Sequence, residues 1–227
     1  MARTNFGVLT GGALLLMSLL GISQAPAQNR SSAVGESLDL SATYGHMWGG
    51  HINTNRGTFR LATAGAWGLQ LDIPVDEAAW VEVAYLRQDT QVNEDYRGAI
   101  TKLTDMSVNY WQIGGVRGAY YGDVVPFISF SLGLTYYSPT ESSVELGENT
   151  YTAESATQFS MILGGGLKTF FGDAKRVGIR AQFRILSTLY NTGAGFWIGS
   201  GGGTVSFGGS AVWQYEVSGG LVVRFGA

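Results

Sequence analysis

The 227 residues contain no cysteine. That excludes a disulfide scaffold and any thiolate metal site. Only four prolines interrupt the chain, so long strands can run with their amide ladders intact. Positive charge is not in surplus. Fourteen Lys and Arg against seventeen Asp and Glu leave a formal net charge of −3, which gives no electrostatic case for a nucleic-acid partner. After the first 27 residues no run of 18 apolar residues occurs, so no transmembrane helix is expected there. Only two histidines are available for catalysis or metal binding, and nothing in the pattern calls for a cofactor.

What the chain does hold is glycine, 34 residues, and aromatics: 11 Phe, 11 Tyr and 6 Trp. Long strands with glycine at crowded points and aromatics at membrane interfaces produce such a bias. The N-terminus reads as an export signal. Arg3 is followed by an apolar stretch from Phe6 to Ile22 and then by Ala25-Pro26-Ala27, a small-residue cleavage pattern. The apolar stretch is broken by Thr10, Gly11, Gly12, Ser18 and Gly21, too short for an anchor helix. The expected organisation is a signal peptide over residues 1–27 and one domain over residues 28–227.

Alternation of apolar and polar residues recurs through residues 28–227, as in half-buried strands. Eight segments carry it: Leu38 to Tyr44, Phe59 to Ile73, Val81 to Tyr85, Met106 to Arg117, Ile128 to Tyr136, Gln158 to Lys168, Val177 to Ile185 and Trp213 to Phe225. In the fourth, Val108, Tyr110 and Val116 are read as the apolar face against Ser107, Asn109 and Arg117. Gln112, Trp111 and Ile113 break that phase. The connections alternate between tight (74–78, 121–124, 172–175) and long (45–57, 88–105, 138–155, 191–210). Short inner turns alternating with long outer loops belong to bacterial outer-membrane barrels. A membrane also demands closure, because an open sheet edge leaves unpaired amides in hydrocarbon. A soluble up-and-down barrel uses the same alternation with the faces reversed. Loop rhythm, export signal and the aromatics near strand ends, including Tyr44, Trp48, Trp80, Tyr136, Tyr137, Phe170 and Trp213, favour the membrane version. The expected fold is an all-β, eight-stranded, antiparallel up-and-down transmembrane β-barrel.

The chain resembles the OmpA/OmpX/OmpW-like small outer-membrane barrels. The resemblance lies in Tyr110-Trp111-Gln112-Ile113-Gly114-Gly115-Val116-Arg117, Gly164-Gly165-Gly166-Leu167-Lys168, Val177-Gly178-Ile179-Arg180 and Gly219-Gly220-Leu221-Val222-Val223-Arg224-Phe225. It covers essentially all of residues 28–227. It implies residence in the outer membrane, with that membrane's lipids and the barrel-insertion machinery as partners, and a monomer.

Candidate sites are few. His46 and His51 lie above the first strand with no Ser within a few residues, so acyl-transfer machinery is not visible, and no local carboxylate completes a metal site. Glu141, Glu145, Glu148 and Glu154 make residues 138–155 acidic. Oxygen ligands there suit a divalent cation, although solvation is the ordinary role of such runs. The polar faces carry charges of both signs: Asp39, Asp72, Glu82 and Glu216 against Arg60, Arg117, Lys168, Arg180, Arg184 and Arg224. Mixed signs predict a paired structural network in the lumen rather than a conduit of one charge. Counting from the tight turns places Arg184 opposite Glu216 and Asp39 opposite Arg224. The functional expectation is a non-enzymatic barrel with a structural or surface-interaction role through its outer loops. The alternatives are a narrow channel or transporter of small hydrophobic molecules and, third, a lipid-modifying enzyme.

Overall fold

A computed structural model describes residues 37–54, 57–96, 99–140, 143–146, 149–152, 155–190, 195–199, 202–206 and 210–226. The expected signal peptide, residues 1–27, lies outside them, and so do Glu141, Glu148, Glu154 and the side chain of Glu145. The cation expectation for that loop therefore falls outside the described residues too.

Alternating sequence becomes strand almost everywhere. The elements are β1 (Leu38–Trp48), β2 (His51–Thr54), β3 (Gly57–Leu61), β4 (Ala64–Asp76), β5 (Ala79–Tyr96), β6 (Ala99–Gly118), β7 (Val124–Pro139), β8 (Ser143–Leu146), β9 (Asn149–Thr152), β10 (Ala156–Phe171), β11 (Val177–Tyr190), β12 (Gly195–Gly199), β13 (Gly202–Ser206) and β14 (Ser210–Phe225). Eight of them close on themselves in the order β5-β4-β1-β14-β11-β10-β7-β6, with β6 returning to β5. All these pairings are antiparallel. The first and last strands meet in register from Leu38 opposite Phe225 to Trp48 opposite Tyr215. Every barrel strand thus has two neighbours, and no edge is left in the wall.

One end of the barrel is made of tight turns. Gly122 and Gly172 take φ of 67° and 73° there, where glycine carries no Cβ penalty. The other end carries paired strands where loops were expected. β2–β3, β8–β9 and β12–β13 are hairpins, and β5 and β6 stay paired up to Tyr96 opposite Ala99. Segment two of the sequence reading is accordingly two elements. Phe59, Arg60 and Leu61 belong to β3, which pairs with β2 and with the upper part of β5, and only Trp67 to Ile73 lie in the barrel wall.

The wall is apolar outside and polar inside. Leu40, Leu69, Val83, Ile128, Phe130, Leu163, Ile179 and Leu221 are exposed, whereas Asp39, Gln70, Asp72, Arg180, Gln182 and Glu216 are buried. A soluble barrel has the reverse arrangement. Segment four runs opposite to its expected phase: Val108, Tyr110, Gln112 and Val116 are buried, while Trp111 and Ile113 are each 60% exposed. Three residues expected among the aromatic girdles also turn inward: Trp80, Tyr137 and Phe170 are buried. The reason is common to all. Apolar clusters fill part of the lumen near each end, so inward positions there can be apolar.

Candidate functional site

Strand parity places inward residues in three levels along the lumen. At the turn end, Trp80, Val116, Val125, Phe127, Phe170 and Val222 form an apolar plug. At the hairpin end, Met47, Ala66, Leu86, Val108, Tyr110, Tyr137, Ile162 and Leu186 form a second. Most of the lumenal charges lie between, with Arg224 at the lower rim and the amides Gln88 and Gln214 interleaved with the upper plug. An eight-strand barrel is just wide enough for its own side chains to fill it.

The charged level is a chain of ion pairs drawn across the lumen. Arg224 on β14 donates to Asp39 on β1 at 2.8 and 3.1 Å. Lys168 on β10 reaches the same Asp39 at 3.1 Å and Asp72 on β4 at 2.6 Å. Arg180 on β11 donates to Asp72 at 3.0 Å and to Glu82 on β5 at 2.5 Å. β10 stands four strands from β4 around the ring, and β11 stands four strands from β5. Two bridges therefore span the diameter. Arg184 on β11 and Glu216 on β14, directly opposite in register, form a separate bidentate pair in which Nη2 donates at 2.9 Å and Nε donates to the second carboxylate oxygen. The planar guanidinium fork suits that geometry.

Cations also rest on the lower plug. Arg180 lies 4.7 Å from the Phe127 ring centre, Lys168 4.9 Å from that of Trp80, and Arg224 3.7 Å from that of Phe170. Cation–π attraction is largest where water is excluded. Above the charges, side-chain amides and hydroxyls continue the cross-links. Gln70 donates to Thr43 at 3.1 Å, Gln112 to Ser160 at 2.7 Å and Gln182 to Ser218 at 3.1 Å. Higher still, Tyr110 pairs with Gln214, which donates to Gln88 at 2.9 Å.

Of the ten charged residues expected in the lumen, Asp39, Asp72, Glu82, Lys168, Arg180, Arg184 and Glu216 are buried there, and Arg224 closes the lower rim with its side chain 10% exposed. Two are misplaced. Arg117 is exposed, because the phase of β6 is inverted and its odd positions face outward. Arg60 is exposed, because β3 lies in the hairpin extension above the wall. Alternation also puts an amide layer on the polar face. Gln70, Gln182 and Gln214 share the parity of the charged residues, and that parity was the signal available for them.

His46 is exposed on the outer face of β1, edge-on to Trp48 with ring centres 5.4 Å apart. His51 is exposed at the start of β2. The structure does not bring either into the lumen. Among the described residues no group of three His, Cys, Asp or Glu is placed to hold a metal ion.

No protein-family model matches the chain, and no curated protein matches it in sequence. Solved structures do match. The outer membrane protein OprG from Pseudomonas aeruginosa superposes with a TM-score of 0.54 at 11% identity, covering 85% of this chain and 97% of that one. Neisserial surface protein A gives 0.49 at 17% identity, covering 86% of this chain and all of that one. The likeness to OprG is one of fold. This chain is a closed eight-stranded antiparallel barrel with an apolar belt on its outer face.

Proposed function

We propose that this protein is a non-enzymatic outer-membrane barrel whose lumen is sealed and whose work is done by the paired hairpins it holds outside the membrane. The observation that carries this reading is the transverse chain Arg224–Asp39–Lys168–Asp72–Arg180–Glu82. It spends every lumenal charge at its level on another side chain, and two of its links cross the barrel. A conduit for ions leaves charged groups facing a water column. Here they face each other, between two apolar plugs. By the same reading the turn end faces the periplasm and the hairpins face outward, as in outer-membrane barrels generally.

Two measurements test it. In planar bilayers the purified protein is expected to give no stable porin-sized conductance, and such steps would overturn the sealed lumen. On intact cells, protease added from outside is expected to cut the hairpins and to leave a protected barrel core. Complete protection of the hairpins on intact cells would overturn their outward placement.

A further inference from the structure

The outer face of β5 and β6 changes character abruptly beyond three linked aromatic rings. Trp67 meets Tyr85 with ring centres 5.3 Å apart, and Tyr85 meets Trp111 at 4.5 Å. Toward the turn end the same face is apolar, with Leu69, Val83 and Ile113 exposed. Toward the hairpins it is a polar ladder. Tyr85 marks the change, since its hydroxyl donates to Asn109 at 2.8 Å. Above it the outward cross-strand pairs are Arg87 with Asn109, Asp89 with Ser107, and Gln91 with Asp105. A register shift at Val92/Asn93 then brings Lys102 onto the same face, 2.8 Å from Asp105. On β7 and β10 the outward positions beyond the aromatics, Ser138 and Thr157, are uncharged.

We propose that this face holds a glycolipid of the outer leaflet, with its saccharide headgroup on the ladder and its acyl chains on the apolar strip below. The proposal rests on the membrane placement given above. Three features select a saccharide. First, the ladder is neutral: Arg87 is held by Asp89 through two hydrogen bonds of 3.0 and 2.9 Å, and Lys102 by Asp105. A bare phosphate gains little from cations already paired, whereas a sugar hydroxyl both donates and accepts and can use carboxylate, amide and guanidinium alike. Second, the ladder borders a recess. β5 is paired with β4 as far as Gln88 and with β3 only from Val92. The gap leaves a cleft of about 420 Å³ lined by Ala62, Thr63, Ala64, Asp89, Gln91 and Asp105 among others, a volume within the ~300–1,000 Å³ of ordinary ligand sites. Third, the three rings stand where headgroup meets acyl chain, the level at which amphipathic aromatics settle. One amphiphile lying along the wall satisfies all three levels.

The test compares the wild-type protein with an Arg87→Ala/Asp89→Ala double variant, which removes two hydrogen-bonding groups and leaves the net charge unchanged, in nanodiscs of phosphatidylethanolamine containing rough-type lipopolysaccharide. Retained glycolipid is counted by native mass spectrometry. Loss of two well-placed hydrogen-bonding groups should lower retention about tenfold, while Thr157→Ala leaves it at the wild-type level. Equal retention by the double variant overturns the proposal. So does equal retention of phosphatidylglycerol when it replaces the lipopolysaccharide, since that makes the attraction one for any anionic lipid. Folding of each variant is read independently from its gel shift on boiling. A wild-type protein absent from the outer-membrane fraction would overturn the membrane placement as well, and so separates the two failures.

Discussion

Asp72 accepts from both cations that cross the lumen, Lys168 and Arg180. Its carboxylate is fully buried. Removing one partner from a buried ion pair is severe, because the other charge stays behind without water. Asp72→Asn should therefore destabilise the barrel by about 3–5 kcal/mol, read as the shift of the urea midpoint in lipid vesicles. Arg117 makes the opposite case. It was expected in the same network but stands exposed on the outside of β6, so Arg117→Ala should move the midpoint by less than about 0.5 kcal/mol. Equal losses in the two variants would show that the network does not hold the barrel together. The Arg184–Glu216 pair permits a stricter test. Glu216→Arg places two cations side by side and should be strongly destabilising. Adding Arg184→Glu restores opposite signs and should recover a substantial part of the loss, as a coupled pair requires.

At the scale of the strand, glycines decide how close the large lumenal side chains come. A Cβ on Gly164 would lie 2.7 Å from the Ser129 hydroxyl and 3.1 Å from Arg184 Cγ. Gly164→Val should push Arg184 off Glu216 and cost about 1–3 kcal/mol. On the outward side Gly115 has nothing within 4 Å of such a Cβ, and Gly115→Ala should be neutral or slightly stabilising, since the unfolded chain loses freedom. Urea titration of both variants checks the contrast. The strands were also where the sequence was most legible. Eight segments, their antiparallel order and the Arg184–Glu216 and Asp39–Arg224 registers follow from alternation and from counting outward from tight turns. β6 was misread because both its faces carry apolar residues, Val108 and Tyr110 inside, Trp111 and Ile113 outside. Alternation cannot assign a face when the two faces match. The hairpins β8–β9 and β12–β13 were read as loops because strands of four or five residues alternate too briefly to stand out. Arg60 is misplaced for a related reason: β3 continues the rhythm of β4 across Ala62 and Thr63, so one segment is read where the chain forms two strands, of which only β4 belongs to the wall. The candidate glycolipid face was not legible at all, because it depends on which strands are neighbours and on a gap in their pairing.

For the whole molecule, closure without an edge implies resistance to detergent. The folded barrel should run at a different gel mobility before and after boiling, and identical mobility would count against closure in solution. Closure also has a consequence for how the molecule comes into being. The bridges join β14 to β1, β10 to β1 and β4, and β11 to β4 and β5, so nearly every lumenal charge waits for a partner far away in the chain. A strand entering hydrocarbon alone would carry a bare Lys168 or Arg180 with it, at a penalty of several kcal/mol. Assembly strand by strand is thereby disfavoured, and the ring must be nearly complete before it crosses. The last strand is then a licence for entry rather than a final addition. A chain ending at residue 206, before β14, should remain in the aqueous compartment and be degraded there, a fate that pulse-chase fractionation would reveal.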